Sequence, residues 1–267
     1  MSGDVRLRVR DLDVSIGSVR ILDGVHLDLE AGRIAGLAGE SGSGKSMTAL
    51  AVLGLLPRHA RAAGRIELDG TDLLTLPRRR LADVRGRRVA MVFQDPAAAF
   101  HPLLSIGAQV TDHVRRHLGV SRKAARLRAA NLLERVHVPD PDEALRKFPH
   151  EFSGGQLQRI AIASAIACEP QVLLADEPTT ALDVTVQAGI LRLVRGLSDE
   201  FGLATLFISH DLAVLSSVAD TVTVMRDGRV IESGPRFDVL TDPQNAYTRA
   251  LIESLPDHIA RHGGGPR

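Results

Sequence analysis

Val5, Leu7 and Val9 alternate with Arg6, Arg8 and Arg10, a period of two that predicts a strand with one buried face. Val25 to Leu29 and Gly64 to Leu68 read the same way, the second followed by the turn residues Asp69-Gly70. Ile34 to Ala38, Val89 to Phe93, Gln171 to Ala175 and Ala204 to Ile208 are instead short unbroken apolar runs, the pattern of strands covered on both faces. Lys45 to Leu56 reads as a helix, and Val186, Ile190, Leu193 and Leu197 recur at helical spacing. Leu104 to Glu151 is helical and polar. Thr221 to Met225, Asp227-Gly228 and Arg229 to Glu232 form a final hairpin pattern. The prediction is an α/β chain: a mostly parallel core, an N-terminal antiparallel β layer and a helical insert at about 104–151. Residues 1–255 are expected to form one domain, and 256–267 a tail containing Gly263-Gly264-Gly265.

Composition narrows the partners. Thirty-three Lys and Arg face 32 Asp and Glu, so no basic field for nucleic acid is expected. The two Arg-rich stretches, Arg78-Arg79-Arg80 and Arg85 to Arg88, are read as a solvated face. A single cysteine, Cys168, rules out an intrachain disulfide and a four-cysteine metal site, and its place on an apolar helical stripe makes it core. Neither a leader segment nor an apolar run of about 20 residues is visible, so a membrane role would act through a partner.

Gly39-Glu40-Ser41-Gly42-Ser43-Gly44-Lys45-Ser46 is a full match to G-x-x-x-x-G-K-[ST], with a strand before it and a helix after. Glycines let the backbone curl until its N–H groups face a phosphate chain, and the helix start adds its positive dipole end. Lys45 is a point charge for the outer phosphates, Ser46 a hydroxyl for Mg²⁺, and Met47 lies in the first helical turn. The core is therefore expected to be the RecA-like sheet of a P-loop NTPase. Val172 to Glu177 delivers two carboxylates at a strand's C-terminal end, where ligands of open α/β sheets bind. Asp176 suits Mg²⁺ and Glu177 the attacking water. Either motif alone has a bland alternative, a glycine-rich turn or a helix-capping acid pair; their order along one chain disfavours both.

Phe152-Ser153-Gly154-Gly155-Gln156 followed by Leu157-Gln158-Arg159 resembles the ABC signature, with Phe in place of Leu. Gln94 stands at the Q-loop position, Ala181-Leu182-Asp183 at the D-loop and His210 at the switch histidine, so the resemblance to ABC transporter ATPases runs from Val5 to about Leu255. It implies that ATP and Mg²⁺ are bound by residues 39–47, with Ser46, Gln94 and Asp176 on the metal side. Lys45, Gln94, Glu177 and His210 are implied to serve the chemistry. Ser153, Gly154, Gly155, Gln156 and Asp183 are implied to face the nucleotide of a second, homologous ATPase subunit, a different one or a second copy. Transmembrane permease subunits at the cytoplasmic face of the membrane, and through them an extracytoplasmic binding protein, are the implied partners. Thr180 to Thr185, Phe100-His101-Pro102-Leu103 and Asp242 to Pro256 resemble the ATPases of peptide and nickel importers, with His101 in place of Asn.

A soluble ABC protein of DNA repair or translation is the rival, but such proteins carry two cassettes or a long coiled-coil insert. A GTPase would need N-K-x-D, which is missing. His113 and His117, four apart with Arg115 and Arg116 between them, are read as a solvated helix face and not a metal site. Where family members stack an aromatic on adenine, this chain has Ile16, with the Arg20 guanidinium as a possible helper. No Phe, Tyr or Trp precedes Phe93, which is expected to end a buried strand.

Overall fold

The computed structural model describes residues 4–180 and 182–254. The predicted tail 256–267 and Ala181 of the D-loop stretch lie outside the described residues. Two sheets form the frame. Strands β1 (Val5–Ile16) and β2 (Val19–Glu30) make a long hairpin, and β4 (Ala60–Leu68) and the short β5 (Thr71–Asp72) extend it to the order β2-β1-β4-β5, antiparallel throughout. The second sheet takes β3 (Ile34–Ala38), β6 (Val89–Val92), β7 (Val172–Asp176), β8 (Ala204–Ile208), β9 (Thr221–Arg226) and β10 (Arg229–Pro235) in the order β10-β9-β3-β8-β7-β6. All neighbours in it are parallel except the hairpin pair β9 and β10.

The unbroken apolar runs are explained by two cores. Along β7, Val172 and Leu174 face the cluster shared with the antiparallel sheet, while Leu173 and Ala175 face the cluster shared with the helices. Successive side chains of a strand point to opposite faces, so a sheet covered on both sides needs apolar residues at every position. In β1 only one face is covered. Leu7, Val9, Leu12 and Val14 are fully buried while Arg8 is exposed. The strand continues past the predicted alternation because a register shift between Val9 and Leu12 resets which residues face inward.

Helices connect and cover the second sheet: α1 (Lys45–Val52), α2 (Arg78–Val84), α3 (Ile106–Leu118), α4 (Arg122–Arg135), α5 (Pro141–Ala144), α6 (Gly154–Ile166), α7 (Val184–Phe201), α8 (Leu212–Val218), α9 (Arg236–Thr241) and α10 (Ala246–Glu253). The first stops four residues short of the predicted Leu56. Gly54 N–H bonds to the Ala51 carbonyl and Leu55 N–H to that of Leu50, a Schellman stop that overrides the apolar periodicity. The remaining carbonyls there are taken by Arg85, whose Nε and Nη2 donate to Leu53 O (2.6 Å) and Gly54 O (2.9 Å). Arg88 likewise reaches Asp69 (2.7 Å) and Gln171 (3.2 Å). The solvated-face reading therefore holds for Arg78, Arg79 and Arg80, which are exposed, and is corrected for Arg85 and Arg88, which tie elements together.

Two further corrections follow from packing. His113 does not face solvent. It lies over Gly86, where an added Cβ would come within 2.6 Å of the imidazole, and burial pushes its pKa down to about 4. His117 packs edge-on against it at 4.8 Å between ring centres. Phe93, expected inside a strand, lies just past the end of β6 and is 40 % exposed. Cys168 is buried as expected, with its thiol pushed up to about 11 by burial.

Candidate nucleotide site

The loop from Gly39 to Gly44 leaves β3 and enters α1. Two of its glycines are demanded by close approach. At Gly39 (φ 147°) a Cβ would lie 2.3 Å from the Met225 carbonyl, and at Gly44 (φ 103°) 2.5 Å from Leu22 Cδ2. The loop is thus seated between β2 and β9. Lys45 is buried, and its Nζ donates to the carbonyls of Gly39 and Glu40, both at 2.8 Å. Burial pulls the pKa of this ammonium down, while Glu177 and Asp176 hold it up. Ser43 Oγ is buried without a partner among the described residues. Leaving such a hydroxyl unpaired is costly, and an oxygen-rich anion in the loop would satisfy it. Met47 differs in kind: its side chain packs on the apolar cluster beside the antiparallel sheet, so only its backbone can face a phosphate.

Ser46 Oγ donates to Asp176 Oδ1 at 3.0 Å, bringing a hydroxyl and a carboxylate from elements 130 residues apart onto one point. Burial raises the pKa of Asp176, opposed by the Ser46 hydrogen bond. A buried carboxylate next to a hydroxyl is an oxygen donor set of the kind hard divalent cations use, and such a cation would remove the burial penalty.

Glu177 is the centre of the site's hydrogen bonds. It sits one residue past β7 in a left-handed backbone conformation (φ 45°), and its N–H bonds to the Ile208 carbonyl at 3.0 Å. Non-glycine residues rarely hold this conformation unless the surroundings enforce it. Three side chains converge on its carboxylate: Gln94 Nε2 at 3.3 Å, His210 Nδ1 at 3.1 Å and Thr180 Oγ1 at 2.9 Å. The carboxylate is largely shielded whereas the imidazole is more than half exposed. Gln94 follows β6, Glu177 follows β7 and His210 follows β8, so three adjacent parallel strands deliver the three groups at one sheet edge. A carboxylate fixed in this way can accept a proton from, or orient, a water beside the phosphate loop.

The structure leaves other candidates apart. Ser153 caps α6: its Oγ accepts from Gln156 N (3.3 Å) and Gln156 Oε1 accepts from Ser153 N (3.1 Å). Gly155 is required because a Cβ would approach Val186 Cγ1 to 2.6 Å. Asp183 caps α7 by accepting from Val186 N at 2.9 Å. Among the described residues, no hydrogen bond or ion pair joins these groups or Gly154 to the phosphate loop. Ile16 is at the tip of the first hairpin, opposite Val19. The Arg20 guanidinium is bonded at its edge by Asp23 (2.6 Å) and Asp13 (3.4 Å) and its side chain is exposed.

Two contacts were not foreseen, although both residues lie in segments read for their family resemblance. Thr180 donates to Glu177 three residues before it, a spacing typical of a hydroxyl closing a turn. Tyr247, from α10, accepts a hydrogen bond from Glu40 N–H at 3.4 Å, a contact across 207 residues that no local signal announces.

Known proteins share this frame. The profile of the ABC transporter family matches residues 22–180. The chain is 48% identical over 244 residues to the probable D,D-dipeptide transport ATP-binding protein DdpD of Escherichia coli K12, covering 91% of this chain and 74% of that protein. It is 42% identical over 256 residues to the oligopeptide transport ATP-binding protein OppD of Bacillus subtilis 168, covering 94% and 72%. Among solved structures, cbiO1 from Clostridium perfringens, part of the ABC transporter complex cbiONQ, superposes with a TM-score of 0.78 at 27% identity, over 96% of this chain and 98% of that one. The ATP-binding cassette MJ0796, a dimer bound to ADP and Pi, superposes with a TM-score of 0.75 at 26% identity, over 86% and 98%. With the phosphate loop, its carboxylate pair and this family likeness in hand, the chain belongs to the ABC transporter family as an ATP-binding subunit that hydrolyses ATP.

Proposed function

We propose that this subunit powers the uptake of peptides through transmembrane permease subunits, at the cytoplasmic face of the membrane, in a pair with a second, homologous ATPase. The observation that carries the reading is the meeting of Gln94, His210 and Thr180 on Glu177 beside the phosphate loop. The named cargoes of the similar DdpD and OppD proteins, dipeptide and oligopeptide, give the cargo class.

In this reading the backbone N–H groups of residues 39–47 and the Lys45 ammonium hold the phosphates. Lys45, which gives two hydrogens to the Gly39 and Glu40 carbonyls, turns its third to a phosphate oxygen. Ser46, Asp176 and Gln94 would hold Mg²⁺, which would supply charge neutralisation on the phosphates. Glu177 orients the attacking water and takes up its proton, and His210 holds the Glu177 carboxylate in place. The chain's own positioning contacts do the rest, since phosphoryl transfer asks mainly for alignment and charge stabilisation. Ser153, Gly154, Gly155, Gln156 and Asp183 serve the nucleotide of the partner ATPase. Their helix starts each give one N–H to an internal cap, Gln156 N to Ser153 and Val186 N to Asp183, and the positive dipole end that remains is what they offer an anion.

The permease contact falls on the cleft lined by Leu53, Leu55, Phe93, Phe100 and His113, about 240 Å³ in volume, between β6 and the insert. Leu55 and Phe93 of this cleft are exposed, as are Leu103 and Leu104 where the chain enters the insert. No helix among the described residues is long and apolar enough to cross a membrane. Purification of the intact membrane complex tests the proposal: permeases and a second ATPase co-purify, and peptide-loaded binding protein stimulates hydrolysis. Two copies of this chain with no second ATPase refute the heteromeric pair. Hydrolysis indifferent to the membrane partners refutes the importer and favours a soluble ATPase.

A further inference from the structure

Both backbone groups of Glu40, at the start of the phosphate loop, are tied down. Its carbonyl accepts from Lys45 Nζ at 2.8 Å, and its N–H donates to the Tyr247 hydroxyl at 3.4 Å. Tyr247 is itself fixed. Its N–H bonds to Asn245 Oδ1 at 2.8 Å, the cap of α10, and the Glu232 carboxylate of β10 accepts from the N–H groups of Gln244 (2.7 Å) and Asn245 (3.2 Å). The Arg226 guanidinium lies 4.7 Å from the centre of the Tyr247 ring. Arg226 ends β9, and two residues later Gly228 N–H donates to the Ser43 carbonyl of the phosphate loop at 3.1 Å. The C-terminal part of the chain therefore touches the loop at two places, Glu40 and Ser43; Tyr247 makes the first contact, and its ring packs on Arg226, two residues before the Gly228 that makes the second.

Lys45 gives two of its three ammonium hydrogens to the Gly39 and Glu40 carbonyls, which leaves one for a phosphate oxygen, while the Tyr247 hydroxyl fixes the other side of Glu40. Resting on the assignment of residues 39–47 as the phosphate site, we propose that Tyr247 is a positioning residue for the phosphate loop, through which α10 senses and supports nucleotide binding. Its hydroxyl meets the backbone of Glu40 and is not among the groups that converge on Glu177, so its effect is on binding and not on the chemical step. Linkage makes the effect mutual: whatever α10 adds to nucleotide affinity, nucleotide adds to the docking of α10.

The composition supplies the probe. Tyr247 is the only tyrosine and the chain has no tryptophan, so tyrosine emission reports this one ring. The full chain is titrated with magnesium pyrophosphate, which has no aromatic ring to absorb the exciting light, and the emission is expected to change and saturate. Tyr247→Phe keeps the ring over Arg226 and removes only the hydroxyl. It is expected to raise the KM for ATP about two- to tenfold, the fold-change of one neutral hydrogen bond, with kcat and melting temperature kept. An unchanged KM overturns the proposal, as does a loss confined to kcat or melting temperature, which marks a merely structural tyrosine. Emission indifferent to saturating pyrophosphate overturns the sensing. Lys45→Ala separates the underlying site reading: if that variant titrates like the parent, the phosphate loop itself has been misassigned.

Discussion

At Glu177 the chain gathers contacts from far apart, Gln94 from 83 residues upstream and His210 from the next strand, whereas at Ser153 the side-chain bonds close within three residues. The first site is a product of sheet topology, and its polar groups need one another. The second is a self-sufficient helix cap that leaves its outer face unused. The difference teaches what one chain assembles by itself: the contacts on Glu177 are made within it, whereas among the described residues no hydrogen bond or ion pair joins Ser153 to the phosphate loop, which is consistent with the proposed role toward a partner ATPase.

The strongest way to break this contrast is at Glu177. Glu177→Gln keeps the shape and the contacts to Gln94 and Thr180 while removing the group that can take a proton. ATP binding is expected to persist and turnover to fall about 10²–10⁴-fold, the usual reach of a general base. Near-normal hydrolysis in a single-turnover assay would falsify the role assigned to it. Next in size is the pair Lys45→Ala and Ser153→Ala. Losing the buried ammonium should weaken ATP binding by the isolated chain about tenfold to a hundredfold, as for a charge-assisted hydrogen bond. Losing the cap should cost about 1 kcal/mol of stability and leave that affinity alone. Equal affinity losses in the two variants, measured by titration calorimetry, would abolish the distinction between the two sites.

The same contrast marks what could be read from sequence. Ile34 to Ala38 and Ala204 to Ile208 were legible to the residue, because a strand buried on both faces must be apolar throughout and the flanking turns end it sharply. Glu177 was placed at a strand end by pattern, Gln94 and His210 were picked out after theirs by the family resemblance, and the parallel order of β6, β7 and β8 then brought them together. What stayed hidden depends on contacts with no sequence period. Arg85 looked like part of a charge run, yet it caps a helix 32 residues away. His113 looked solvated because its neighbours Arg115 and Arg116 are exposed, yet the helix turns it inward onto Gly86. Tyr247 was seen only as part of a tail resemblance, and its bond to Glu40 spans most of the chain.

His113 gives the seam between insert and core a pH dependence of its own. Burial lowers its pKa from 6.5 to about 4, helped by the neighbouring His117 and Arg116. The unfolded chain therefore binds more protons than the folded one between those two values. Stability contributed by the neutral imidazole is complete above about pH 6.5, shrinks as pH falls, and is gone below about 4. Melting temperature should fall across that window, and His113→Gln should flatten the fall. An identical slope in the variant assigns the acid sensitivity elsewhere, with the half-buried His117 the next group to replace.

The smallest expected effect concerns the base, which neither of the two sites reads. Stacking of a base on an aromatic side chain is worth about 1–3 kcal/mol in proteins that bind single-stranded nucleic acid. This chain offers Ile16 at the tip of a hairpin, opposite an exposed Val19, and the guanidinium of Arg20 is engaged by Asp23 and Asp13. The strand that follows does reach the phosphate loop, but through Leu22 against Gly44, an aliphatic contact below the phosphates. Affinity must then come chiefly from phosphates and metal, which ATP and GTP share, so the native chain is expected to distinguish the two poorly. Ile16→Tyr places a ring on the same hairpin tip and is expected to strengthen ATP binding a few-fold, toward the low end of the stacking range because the site is open to water. Both nucleotides are titrated against both chains. A strong native preference for ATP that the added ring leaves unchanged shows that the base is held from another surface and that the hairpin tip has no part in reading it.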